Sequence, residues 1–241
     1  MVDSAGRDCL AGSAVVVVGG TSGIGFAVAQ AAIAAGAAVT VGARDVGRMA
    51  AELPAAAALT VDVTDEQSVE AAFAAVGELD HLVCTAASGF PPGLLRAPAE
   101  DVRALIESKL WGQYRCARAA APRIRAGGSM TFTSGIRSRR PMDGTGAFAV
   151  ANSAVEGMAR ALAVEIAPIR VNAIAPGTVD TPLFAAMPEE VRVRRFERVA
   201  AQTTVGRVGT AEEIAAVVLM LMRNGYVTGT VLDIDGGALL V

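Results

Sequence analysis

The stretch Val15-Val16-Val17-Val18-Gly19-Gly20-Thr21-Ser22-Gly23-Ile24-Gly25 decides how this chain is read. Four consecutive valines form a β-branched apolar run of the kind that fills a buried parallel strand, and they stop at glycines leading into a helix expected to begin near Phe26. Glycine permits a tight turn, lets the backbone approach a diphosphate, and aims free N–H groups, with the helix dipole behind them, at negative charge. The spacing is Gly-x-x-x-Gly-x-Gly rather than the commoner Gly-x-Gly-x-x-Gly, and by itself it is weak evidence in a chain with 26 glycines. Its place between a strand and a helix gives it weight. Gly19, Thr21, Ser22, Gly23, Ile24 and Gly25 are therefore candidate cofactor-binding residues.

Outward from this turn, short β-branched runs alternate with longer alanine-rich stretches, the pattern of a parallel sheet covered by helices. Expected strands are Ala14–Val18, Ala38–Gly42, Ala57–Val61, His81–Thr85, Ser129–Thr133, Arg170–Ala173 and Thr230–Ile234. The fold expected is α/β: a single Rossmann-type doubly wound domain over residues 1–241, its seven-stranded parallel sheet flanked by helices on both faces. No linker-like break in composition marks a second domain. Two capping boxes are expected, Thr64 with Gln67 and Thr210 with Glu213. The segment Gly146–Ile166 reads as a helix apolar on almost all sides, which predicts a subunit interface.

Composition narrows the function classes. A mean hydropathy of +0.46 is high, yet the longest apolar stretch, Ile214–Met222, is about half of the ~18 residues a membrane span requires. Asp3, Arg7 and Asp8 precede the first valines in an order unlike a secretion signal, so a cytoplasmic protein is expected. Cys9, Cys84 and Cys116 have unrelated spacings and the chain has one histidine, which suggests neither a metal site nor a disulfide framework. A net charge of -3 leaves no nucleic-acid footprint, so the expected partner is a small molecule.

Over nearly its whole length the sequence resembles the short-chain dehydrogenase/reductase family. That family's phosphate turn matches Gly19, Gly23 and Gly25, with Val18 where threonine is usual. The resemblance implies that Asp62 and Val63 contact adenine, that Pro176-Gly177 turns beside the nicotinamide, and that the Thr181 hydroxyl lies near the pyrophosphate and carboxamide. Ala86, just past the fourth strand, joins the expected cofactor-binding set. Val227-Thr228-Gly229 and Asp235-Gly236-Gly237 resemble a carboxyl-terminal signature usually found at a tetramer interface, so a homotetramer or homodimer is implied. At the end of the second strand, Gly42-Ala43-Arg44 lacks the carboxylate that would accept from a ribose 2′-hydroxyl and offers a guanidinium for a 2′-phosphate, which favours NADP(H) over NAD(H).

The catalytic centre departs from the family pattern. Members use an asparagine, a serine, and a tyrosine and lysine four apart, with the tyrosine as general acid/base. Ser134 fits the serine, but Phe148 falls at the tyrosine and Asn152 at the lysine. In the best register the asparagine position falls on Lys109, so asparagine and lysine have traded places, and two readings of Lys109 stand open: it returns a cation to roughly the original location, or it is an ordinary solvated lysine on a helix. His81 and Tyr114 read as structural. Arg137, Arg139 and Arg140, with Arg192, Arg194, Arg195 and Arg198, border the region where the family holds substrate, which leaves an anionic substrate open. Pro182–Val205 reads as a lid. Two functions stand side by side: an NADP(H)-dependent oxidoreductase acting on an alcohol or carbonyl with an atypical centre, or a dinucleotide-binding protein without turnover, serving as redox sensor or partner subunit.

Overall fold

The computed structural model describes residues 9–47, 49–87, 91–185 and 187–241; the amino-terminal Asp3, Arg7 and Asp8 lie outside them. Strands β1 (Ala14–Val18), β2 (Ala38–Ala43), β3 (Ala57–Thr60), β4 (Leu79–Cys84), β5 (Ile124–Thr133), β6 (Arg170–Pro176) and β9 (Val231–Ile234) form one parallel sheet in the order β3-β2-β1-β4-β5-β6-β9. Two short strands, β7 (Val179–Asp180) and β8 (Gly209–Thr210), pair separately.

The four valines show why the sheet must be covered twice. Val15 and Val17 point to one face, where α1 (Gly23–Ala34) and α8 (Ala211–Arg223) pack; Val16 and Val18 point to the other, against α3 (Glu66–Val76), α5 (Gly112–Ala120) and α6 (Gly146–Glu165). All four are almost fully buried, each contributing about 1.5–3 kcal/mol relative to exposure. The Ile214–Met222 run is the core-facing stretch of α8, and no helix among the described residues is long and apolar enough to cross a membrane. From β1 the chain first winds outward through β2 to β3 and then crosses back to β4, so a crevice opens at the carboxyl ends of β1 and β4.

Several sequence expectations are corrected. The first helix begins at Gly23, three residues before Phe26. The cap of α3 is Asp65, whose carboxylate accepts from the Gln67 N–H at 2.9 Å, because the Thr64 hydroxyl is taken up by Asp62 at 2.7 Å. At α8 the Thr210–Glu213 box forms in both directions. Strand β5 starts five residues before Ser129, irregularly, since Gly128 sits so close to the Asp80 carbonyl that a Cβ would lie 2.3 Å from it. The buried side of α6 is not wholly apolar: it carries Asn152 and Glu156, while Val150 and Val164 face solvent.

Candidate active site

Every residue singled out from the sequence as a catalytic or cofactor-binding candidate, from Gly19 to Thr181, lines one cavity of about 960 Å³ at the carboxyl ends of the strands. At its floor the chain leaves β1 at Gly19, whose φ of +88° and close approach exclude a side chain: a Cβ there would lie 2.6 Å from the Ala86 nitrogen. At Gly25 a Cβ would lie 2.3 Å from the Gly19 carbonyl oxygen. Thr85 pins the turn from the neighbouring strand, its hydroxyl donating to the carbonyls of Val18 and Gly19 at 3.2 and 3.1 Å. Helix α1 begins without a side-chain cap and without an acidic residue in its first turn. Its leading N–H groups therefore remain available to an anion.

Arg44 stands exposed beyond the end of β2 and lines the same cavity. It makes no ion pair among the described residues; the adjacent Asp45 instead accepts from the Gly47 N–H at 2.8 Å. Across from it, the Asp62 carboxyl is held below its usual range by the Thr64 N–H and hydroxyl, with the Arg44 guanidinium adding to the effect.

The catalytic end is built on an unusual piece of helix. Between α4 (Ala99–Ile106) and α5 the backbone widens into one π-helical stretch, Glu107–Trp111, and Lys109 sits on it. Such bulges re-aim a side chain and recur at functional sites. Lys109 is buried, and its Nζ donates to the carbonyls of Thr133 and Ser134 at 3.1 and 3.3 Å. Its third hydrogen has no partner among the described residues. Burial, with no carboxylate to offset it, lowers its pKa to about 8. Gln113, one turn further on, fixes this corner: it donates to the Lys109 and Thr133 carbonyls at 2.7 and 3.1 Å and accepts from the Thr133 N–H at 2.9 Å.

Asn152 holds the next carbonyl of the same loop. Its Nδ2 donates to Gly135 at 3.1 Å, while its Oδ1 is buried with no hydrogen-bond partner among the described residues. Lys109 and Asn152 thus grip consecutive carbonyls, Ser134 and Gly135, from opposite helices. Phe148 lines the cavity at the position expected for the tyrosine and brings no hydroxyl. The Ser134 hydroxyl donates to Glu156 Oε1 at 2.7 Å, so its hydrogen is directed to the back of the site. Glu156 also accepts from the Ser138 hydroxyl at 2.6 Å and pairs with Arg139 at 3.5 Å. Neither Gln113 nor Glu156 was anticipated; the available signal was a polar residue four positions after Lys109 and after Asn152, hence on the same helical face.

His81 lies away from the cavity, its Nδ1 2.9 Å from the Ser129 hydroxyl, and burial lowers its pKa to about 4. Tyr114 stacks edge-on against Trp111 near the surface. The carboxyl-terminal signature ties β9 to β6, with Gly229 N–H donating to the Val171 carbonyl at 2.7 Å.

A family model described as enoyl-(acyl carrier protein) reductase matches residues 18–238, nearly the full chain and the whole of this cavity. The chain belongs to the short-chain dehydrogenase/reductase family. This family member is 34% identical to a short-chain dehydrogenase/reductase of Stachybotrys chlorohalonatus, the match covering 95% of this chain and 98% of that one. It is 35% identical to the cis-4-hydroxycyclohexanecarboxylate dehydrogenase of Sinomonas cyclohexanicum, covering 92% and 94%. Among solved structures it is similar to a small-chain dehydrogenase in complex with NADPH, at 37% identity and a TM-score of 0.87 over 95% of this chain and 99% of that one.

Proposed function

We propose that this short-chain dehydrogenase/reductase is an NADP(H)-dependent oxidoreductase of one domain over residues 1–241, and that Lys109 stands in for the absent tyrosine as keeper of the proton. It interconverts an alcohol and a carbonyl on a small, negatively charged molecule, in the cytoplasm, as a homotetramer or homodimer.

A nicotinamide dinucleotide fits the residues present. The Gly19–Gly25 turn leaves the space a diphosphate needs, the uncapped start of α1 offers N–H donors, and Arg44, with no ion pair among the described residues, would be free to meet a 2′-phosphate. The buried Oδ1 of Asn152 calls for a hydrogen-bond donor, since an unmet buried acceptor costs about 1–3 kcal/mol. Thr21, Ser22, Gly23 and Ile24 complete the turn; Asp62, Val63 and Ala86 flank the adenosine half, and Pro176, Gly177 and Thr181 the nicotinamide half. The similar structure that holds NADPH supports the same choice. When bound, the dinucleotide supplies or accepts the hydride.

The chain's own residues then manage the oxygen. In reduction the Lys109 ammonium donates a proton to the oxygen that becomes the alcohol; in oxidation the neutral amine takes it back. A pKa near working pH is what such exchange requires. Phe148 supplies an apolar wall, and Ser134 holds the substrate carbonyl oxygen once its hydroxyl turns from Glu156 to donate to it. The observation that carries this reading is the buried Lys109 ammonium at the cavity wall, bonded among the described residues only to backbone carbonyls. It is tested by following NADPH oxidation with a panel of carbonyl compounds in the wild type and in Lys109→Met.

A second reading, dinucleotide binding without turnover, is favoured by one observation: neither Phe148, which has no hydroxyl, nor Ser134, which donates to Glu156, directs a hydroxyl proton at the cavity. Saturable NADPH binding with no oxidation on any member of the panel would establish it.

A further inference from the structure

The arginines around the cavity mouth are sorted by their partners. Arg139 pairs with Glu156 and Asp233, Arg194 with Glu190, and Arg140 donates to the Ala238 carbonyl. Arg137 and Arg195 differ. Both line the cavity, and neither pairs with a carboxylate among the described residues. Arg137 stands on the turn after β5, two residues beyond the Gly135 carbonyl held by Asn152, and donates to the Arg140 carbonyl at 3.3 Å. Arg195 reaches in from α7 (Glu189–Ala200), a helix with no fully buried residue, and its guanidinium carbon lies 5.4 Å from the centre of the Phe184 ring. Phe184 is in turn braced edge-on by Phe196, so the guanidinium rests on a fixed apolar platform.

Two cations brought to one cavity from separate elements oppose each other. The Arg137 guanidinium is pushed below its usual range by burial, then by Arg195 and Arg140. Asp143, which also lines the cavity, is taken by Arg96 and largely exposed. An arrangement that is unfavourable while empty becomes favourable when an anion enters, and two planar forks suit a carboxylate.

We infer that Arg137 and Arg195 form the anion-binding end of the substrate site and that the substrate is a small-molecule carboxylate bearing the alcohol or carbonyl elsewhere on its frame. This rests on the oxidoreductase reading above for the reacting end alone. Thr181 and Pro182, which lie against Gly23 of the glycine turn, precede Phe184 by three and two residues, so holding the dinucleotide's diphosphate is the competing assignment for Arg195. The compound in the name of one relative, cis-4-hydroxycyclohexanecarboxylate, carries both groups on one ring.

The test is calorimetric titration of the NADP+-saturated protein with cyclohexanecarboxylate, benzoate and adipate, each against its carboxamide, in the wild type, Arg137→Gln, Arg195→Gln and Arg195→Lys. At least one carboxylate is expected to bind about tenfold or more tightly than its amide, the usual effect of charge-assisted bonds. Each Gln variant should lose that selectivity, Arg195→Lys should recover part of it, and NADP+ affinity should stay unchanged in all of them. Arg195 is exposed, so its variants fold even if Arg137→Gln does not. Equal or absent binding of all carboxylates and amides overturns the inference, as does an equal loss of NADP+ affinity in the variants. Carboxylate selectivity without turnover would leave the clamp standing and remove the catalytic reading; turnover without selectivity would do the reverse.

Discussion

The Lys109 ammonium donates to the Thr133 carbonyl at 3.1 Å, where β5 ends, and Gln113 donates to that same oxygen at the same distance. Two donors from adjacent turns of one widened helix therefore converge on one strand end. The charge is held in place by backbone dipoles rather than by a carboxylate, which keeps the amine able to give up its proton.

Carbonyl reduction should accordingly need the protonated form. Its rate is expected to fall as pH rises through about 8. In Lys109→Met that limb should vanish and turnover drop by about 10²–10⁴-fold, the usual contribution of a general acid. Steady-state pH profiles of the two proteins check this.

The same burial has a consequence for stability. A lysine whose pKa is about 8 folded and 10.5 unfolded binds fewer protons in the folded state between those values, so stability should rise with pH across the window. The gain is up to about 3 kcal/mol by the conversion of pKa shift to free energy. Urea denaturation at pH 7.5 and 9.5 should show the wild type gaining relative to Lys109→Met; an equal change in both proteins would contradict the assignment.

Glu156 serves as the anchor behind the site. Removing it in Glu156→Ala leaves the Ser134 and Ser138 hydroxyls only their longer bonds to the Asn152 and Gly135 carbonyls and breaks the pair with Arg139. A loss of about 3 kcal/mol is expected for a buried carboxylate with three partners. Chemical denaturation measures it, and Glu156→Gln, which keeps one acceptor oxygen, should lose less.

At the phosphate turn, Gly25→Ala places a methyl group 2.3 Å from the Gly19 carbonyl oxygen, a contact backbone must move to relieve. Strain of about 1–3 kcal/mol at the binding turn should weaken NADPH roughly tenfold or more. Fluorescence titration of NADPH into the variant reads the change while thermal melting checks the fold.

Much of this was legible in the sequence, for reasons that differ by residue. Val15–Val18 running into glycines marks both the central strand and the switch point, because only a strand buried on both faces tolerates four valines in a row. The Thr210–Glu213 cap is local chemistry and survives folding. Thr64 misleads because Asp62, two residues earlier, takes its hydroxyl, and a single-sequence pattern does not rank competing acceptors. The exchange of Lys109 and Asn152 is legible only through the family resemblance, whereas the π-helical stretch that buries Lys109 has no periodicity signature. Which of the arginines meet in the cavity depends on the partners of the others, and those contacts span the length of the chain.

The central claim is that backbone N–H groups of the Gly19–Gly25 turn receive a dinucleotide whose 2′-phosphate is met by Arg44. Calorimetric titration of the wild type and Arg44→Ala with NADPH and NADH tests it most directly. The account predicts saturable heat with both, a preference for NADPH in the wild type, and a loss of roughly tenfold in NADPH affinity alone in Arg44→Ala, as a charge-assisted pair implies. No binding heat with either nucleotide would contradict it.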